Sequence, residues 1–116
     1  MGGQYLKLLI NENVISYNDR SIVMKSRIID YIITTEYIVI LEEYIGEDLD
    51  LVYCFDTDLK LLWKIKTPDS KYIGKKQLPY VGMSVNHGLT VIDTLGRYLI
   101  INIDTGDIIY MFCNRF

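Results

Sequence analysis

Alanine is absent from this chain, and histidine and tryptophan each occur once. Without alanine, the strongest helix former, and with apolar content drawn from Ile, Leu, Val and ten Tyr, the composition turns away from helix. A single histidine, His87, leaves little material for a histidine metal cluster or a Ser-His-Asp triad. Two cysteines, Cys54 and Cys113, allow one disulfide at most; both lie in strand-like runs, where a buried thiol is the ordinary role. No secretory signal precedes the first strand and no N-x-[ST] acceptor occurs, so a reducing cytoplasm is the expected setting. No apolar run is long enough for a membrane helix, because Asp30, Glu36 and Glu42 interrupt the most hydrophobic stretch. Met1-Gly2-Gly3 opens like a myristoylation signal, but Leu6 stands where that signal needs Ser or Thr.

Basic charge is also scarce. A net charge of −3 and a pI near 5.0 provide no general attraction to phosphate, so nucleic acid is not an expected partner. The charges are nonetheless segregated: every ionised residue in 36–58 is acidic, and those in 60–76 are basic except Asp69. This describes either two solvated faces or a polar interface between complementary segments.

What the chain does contain is alternation. With 116 residues and half its composition apolar, it fits one all-β domain, 1–116. Strands are predicted at 5–10, 14–17, 21–25, 28–34, 37–44, 50–55, 61–66, 80–85, 89–93, 98–103 and 108–113. Asn18-Asp19, Asn86-His87-Gly88 and Thr105-Gly106 supply the turns. The segment 67–78, with Pro68, Gly74 and three lysines, reads as a connector and ranks first as a binding segment. Ahead of it lie a partial unit, 5–25, and a repeat unit, 28–66; a second repeat unit, 79–113, follows.

The order of strand, Asp-Thr turn, strand and aromatic occurs twice. Leu51-Val52-Tyr53-Cys54-Phe55-Asp56-Thr57 runs on to Trp63, and Leu99-Ile100-Ile101-Asn102-Ile103-Asp104-Thr105-Gly106 runs on to Tyr110. Asp56 and Asp104 are 48 residues apart, and Trp63 and Tyr110 are 47 apart. A four-strand unit at such a period marks propeller blades. In each copy the Asp is expected to accept turn amides, and the aromatic to pack between neighbouring sheets. Segments 51–66 and 97–113 resemble the repeat of quinoprotein-like (PQQ-type) β-propellers, with Asp58 in place of the turn glycine in the first copy and Tyr110 in place of the tryptophan in the second. The resemblance implies blades, about two and a half of them, hence an incomplete or oligomer-completed β-propeller. A β-sandwich or barrel is the alternative. The adjacent cysteine pair, stacking tryptophan and calcium ligands of the quinone enzymes have no match, so neither that cofactor nor any other is implied.

Other chemistry is thin. Asp104-Thr105-Gly106 matches an aspartic protease tripeptide, but Asp107 follows it and too little chain remains to build a cleft. Asp48 with Asp50 and Asp56 with Asp58 stop short of a calcium loop. The expectation is therefore a non-catalytic protein-binding module, in its narrower form a small inhibitor or immunity-type protein. A lectin-like binder closed by homo-oligomerisation and a structural subunit are the alternatives. Tyr72, Lys75, Lys76, Tyr80, His87 and Tyr98 are the candidate contact residues, since tyrosines beside a cationic loop suit a protein partner.

Overall fold

A strand whose side chains are apolar on both sides must be covered on both faces, and Ile38–Glu42 is buried at every position. The rest of the architecture is arranged around that strand. The computed structural model describes residues 8–69, 76–85 and 88–113, and these form eleven strands. They are β1 (Leu8–Asn11), β2 (Val14–Tyr17), β3 (Arg20–Val23), β4 (Ile28–Ile33), β5 (Ile38–Glu42), β6 (Val52–Phe55), β7 (Leu61–Lys64), β8 (Tyr80–Ser84), β9 (Leu89–Asp93), β10 (Arg97–Ile101) and β11 (Ile108–Cys113). Each expected strand has a counterpart: β2, β9 and β11 keep the expected bounds, β1 is described from Leu8, and the others are shortened or shifted by a few residues. Among the described residues no helix is long and apolar enough to cross a membrane.

The strands form three antiparallel meanders, none closed: β1-β2-β3, β4-β5-β6-β7 and β8-β9-β10-β11. The second sheet is the middle layer. On one side Ile38, Ile40 and Phe55 pack with Ile15, Tyr17 and Met24 from the first sheet and its exit. On the other, Val39, Leu41, Val52, Cys54 and Trp63 pack against Leu89, Val91, Leu99 and Ile101 of the third. Each such aliphatic side chain contributes about 1.5–3 kcal/mol through burial. Cys54 belongs to the second of these layers; burial pushes its thiol up to about 12, so it is an inert packing group.

The two four-stranded sheets share more than strand order. Each has an extra residue between its first two strands, Ile29 in one and Val81 in the other, and another between its last two, Leu62 and Ile109. This matched register places Trp63 opposite Cys54 as Tyr110 lies opposite Ile100. It also corrects the expected alignment of the turns. Asp56 follows Phe55, whose counterpart is Ile101, so its counterpart is Asn102 and not Asp104. The chemistry agrees: Asp56 Oδ1 accepts the amides of Asp58 and Lys60, and Asn102 Oδ1 accepts that of Asp104. Leu59 and Gly106 then take positive φ, +59° and +82°, where each chain reverses.

Asp104, released from the turn role, ties the second sheet to the third. Its carboxylate accepts a short hydrogen bond from the Tyr37 hydroxyl, and beside it the Lys66 ammonium donates to Asp107. Between them Trp63 Nε1 donates to the carbonyl of Ile103 at 2.7 Å, and Gly106 lies against the face of the indole. A β-carbon at position 106 would sit 2.6 Å from the ring. The middle sheet is therefore joined to the third by a tryptophan seated under a glycine turn.

Gly106→Ala is expected to destabilise the fold by about 2–4 kcal/mol, the sum of a left-handed backbone penalty and a steric overlap, read as a lower denaturant midpoint. The Tyr37 phenol is raised to about 12, chiefly by its hydrogen bond to Asp104. Since its folded value lies above the ordinary value of 10.0, the contribution is complete below pH 10 and is lost as pH rises through 12. The urea midpoint of Tyr37→Phe should accordingly lie below that of the unaltered protein at pH 8 and converge with it toward pH 12.

Candidate interaction surface

Because the sheets stack in one direction, the face by which the second sheet covers the third has a counterpart on the third sheet itself. Val39 and Leu41 correspond to Thr90 and Ile92, Val52 and Cys54 to Tyr98 and Ile100, and Trp63 to Tyr110. In the second sheet these side chains are buried. In the third, no described element lies over the equivalent face.

The strand alternation that buries Leu89, Val91, Leu99 and Ile101 points their neighbours outward. Tyr98 is paired with Phe112, and Ile100 with Tyr110. The rings of Tyr98 and Phe112 stand 5.0 Å apart, and those of Tyr110 and Phe112 6.1 Å apart, in tilted contact. This aromatic row shields Ile100, which is only 6% exposed, while Tyr110 and Phe112 remain 51% and 38% exposed. Gly82, Ser84, Ile92 and Thr90, the last only 4% exposed, continue the face to the β8 edge, where the Asp30 carboxylate of the second sheet accepts the Met83 amide beside Gly82; the face's own residues are uncharged. The surface offers apolar area and two phenol hydroxyls, a composition suited to recognition by contact and not to proton transfer.

The residues expected from sequence to make contacts are placed differently. Tyr72, Lys75 and His87 lie outside the described residues. Tyr80 is a correction: β8 turns it toward the second sheet, where it is 4% exposed within the core and burial raises its phenol above the ordinary value. It offers no external contact. Lys76 is exposed and gives its carbonyl to Arg97 at 3.1 Å. Tyr98 is on the outer face, adjacent in sequence to Arg97 but directed to the opposite side of the sheet. Of the candidates that are described, Tyr80 and Tyr98 therefore lie on opposite sides of one sheet and do not share a patch.

Ile92 and Phe112 were not singled out from sequence, and Tyr110 only as a repeat aromatic expected to pack between sheets, whereas it is 51% exposed. Their signal was nevertheless present: 98–101 and 108–112 are apolar at both even and odd positions, which demands cover on both faces. The segregated charges meet only in part, through Lys64 and Asp48 at 2.7 Å, a contact that also holds the Asp48 carboxyl below its ordinary value. Of the carboxylates named as pairs, Asp48 and Asp56 serve turns, accepting the amides of Asp50 and Asp58, while the Asp50 carboxylate accepts the Thr67 hydroxyl and the Gln77 side-chain amide and Asp58 stands 4.0 Å from Arg20. Compared with protein-family models, curated proteins and solved structures, the chain finds no match in any of the three.

An uncovered apolar face should bind a hydrophobic dye in the native state. Native protein is expected to enhance 8-anilinonaphthalene-1-sulfonate fluorescence, and Tyr110→Ser with Phe112→Ser to lower that signal by about half or more. Val23→Ser, on the exposed side of the first sheet, should leave it nearly unchanged.

Proposed function

We propose that this chain is a non-catalytic protein-binding module whose contact surface is the outer face of the third sheet. One observation carries the reading: the face centred on Tyr98, Tyr110 and Phe112 occupies the register by which the second sheet grips the third, yet nothing described covers it. The molecule itself supplies the example of an occupant, an antiparallel sheet presenting aliphatic side chains such as Leu89, Val91 and Leu99. A partner protein with such a surface would bury aromatic rings that already contact one another, and so would lose little side-chain freedom on binding. Because the face's own residues carry no charge, the association should respond weakly to salt.

The likeness of segments 51–66 and 97–113 to PQQ-type propeller blades supports reading the three sheets as stacked blades of an open propeller. Completion of a ring by further copies is the less favoured form. Head-to-tail stacking would set the aromatic face against the outer side of the first sheet, where Asn11, Ser16 and Ser21 interrupt Leu9, Val14 and Val23 and the two serine hydroxyls bond each other at 2.7 Å. A face so broken by polar groups is a poorer counterpart for three rings than the continuous aliphatic face of Leu89, Val91 and Leu99. A dedicated inhibitor of one partner is the narrower form of the proposal, and a lectin-like ring is disfavoured with the head-to-tail copy.

The test pairs partner capture with Phe112→Asp and, as a control, Val23→Asp. A specific partner held by the unaltered chain and by Val23→Asp, but weakened by about tenfold or more in Phe112→Asp, supports the assignment. Capture that ignores Phe112→Asp overturns it. Light scattering showing an oligomer abolished by the same substitution would replace the foreign partner with a second copy.

A further inference from the structure

The last residue of the second strand is a buried acid in both four-stranded sheets. Glu42 pairs with Ile28 just before the extra residue Ile29, as Asp93 pairs with Tyr80 just before Val81. The two acids are 1% and 3% exposed. In the third sheet the charge is answered within the chain: Arg97 Nε donates to Asp93 Oδ2 at 2.7 Å, and the amides of Leu95 and Arg97 donate to Oδ1. The position corresponding to Arg97 in the second sheet is Leu51, whose carbonyl accepts the Glu42 amide. Glu42 Oε2 accepts the Ser26 amide at 2.9 Å, and the Tyr53 phenol, raised by burial and by its interaction with Glu42, stands beside the carboxylate, but Oε1 meets no donor at hydrogen-bond geometry among the described residues. A carboxylate oxygen buried and left so is costly unless something else pairs with it.

Space lies beside that carboxylate. A groove of about 380 Å³ between the first and second sheets is lined by Ile22, Val23, Met24, Phe55, Leu59 and Leu61 together with Tyr53 and Glu42. A smaller recess of about 230 Å³ also borders Glu42, beside Ser26, Glu47, Asp48 and Leu51. Lys25 stands at the rim of both and is exposed. An apolar groove bordered by a buried carboxylate with one unpaired oxygen matches a particular chemistry: a hydrocarbon stem carrying a positive, hydrogen-bond-donating head.

We infer that this groove is a binding site for an aliphatic cation, a guanidinium or ammonium group on a short hydrocarbon stem, with Glu42 as its counter-ion. The stem lies on Met24, Phe55 and Leu61, and the head takes the place at Glu42 that the Arg97 guanidinium holds at Asp93. The site is on the far side of the second sheet from the third, so it does not rest on the proposed role of the outer aromatic face.

Titration of the full chain with n-butylguanidinium, followed by amide chemical shifts of Ser26 and Tyr53, tests the assignment. Saturable shifts with Kd on the order of 1 mM are expected. Neutral n-butylurea should bind about tenfold more weakly or not at all, and Glu42→Gln should lose about the same factor while keeping its native spectrum. Equal binding of the urea, undiminished binding by Glu42→Gln, or no saturation by about 50 mM overturns the site. Leu51→Arg, which transplants the arginine of the third sheet, should abolish probe binding; a folded Leu51→Arg that binds as before counts against it. If Lys25 is the resident cation, Lys25→Gln raises probe affinity about tenfold, which overturns an external occupant. The peptide acetyl-Val-Arg-Val-amide separates the two sources of such a cation: tighter binding than n-butylguanidinium identifies an arginine of a protein partner, and equal or weaker binding a free small amine or guanidine.

Discussion

The seating of Trp63 beneath the Gly106 turn is the contact on which the upper half of the structure depends. A four-stranded antiparallel sheet gains little as an isolated layer, since its buried face is worth burying only against another face. The indole fixes where that second face lies. Its ring takes the flat approach that only a residue without a β-carbon permits, and its N–H is satisfied by the Ile103 carbonyl, so the one tryptophan is neither strained nor left with an idle donor. Tyr37 and Lys66 bind the same turn on its two sides, through Asp104 and Asp107. The packing of Val39 and Leu41 on Leu89 and Val91 follows from that alignment.

Much of this arrangement was legible in the residues, because period-two alternation and turn chemistry are local. Val14–Tyr17, Leu89–Asp93 and Ile108–Cys113 have the bounds that the pattern gives, and Asn18 takes φ of +57° in its turn as expected. The turn alignment was not legible at single-residue precision. Asp56-Thr57 and Asp104-Thr105 look alike in one dimension, but the extra residues Leu62 and Ile109 fix the register, and Asn102 provides the side-chain oxygen that the sequence seemed to assign to Asp104. Asn and Asp are interchangeable as acceptors of a turn amide, so letter identity was a weaker guide than hydrogen-bond position.

The surface was less legible than the strands. Counting tyrosines gave no means of deciding which face of a strand each would occupy, and Tyr80 and Tyr98 proved to be on opposite sides of one sheet. A bulge reverses the inward and outward assignment beyond it, and Val81 supplies one directly after Tyr80. Glu42 was invisible for a related reason. A pair of acids, Glu42-Glu43, at the end of an apolar run reads as the point where a strand meets water, whereas Glu42 is buried as its counterpart Asp93, paired with Arg97, is.

The sheets are meanders in which every strand is hydrogen-bonded to its neighbour in sequence, with no crossover connection. That ordering bears on how the chain reaches its fold. Closing a hairpin requires only a short loop, and the long-range contacts are confined to the packing of one finished sheet on the next. A chain emerging from its N-terminal end can therefore assemble in the order in which it is synthesised, with each completed layer serving as the template on which the next condenses. The third sheet is the last of the three to condense, which leaves its aromatic surface as the growing end of the described stack.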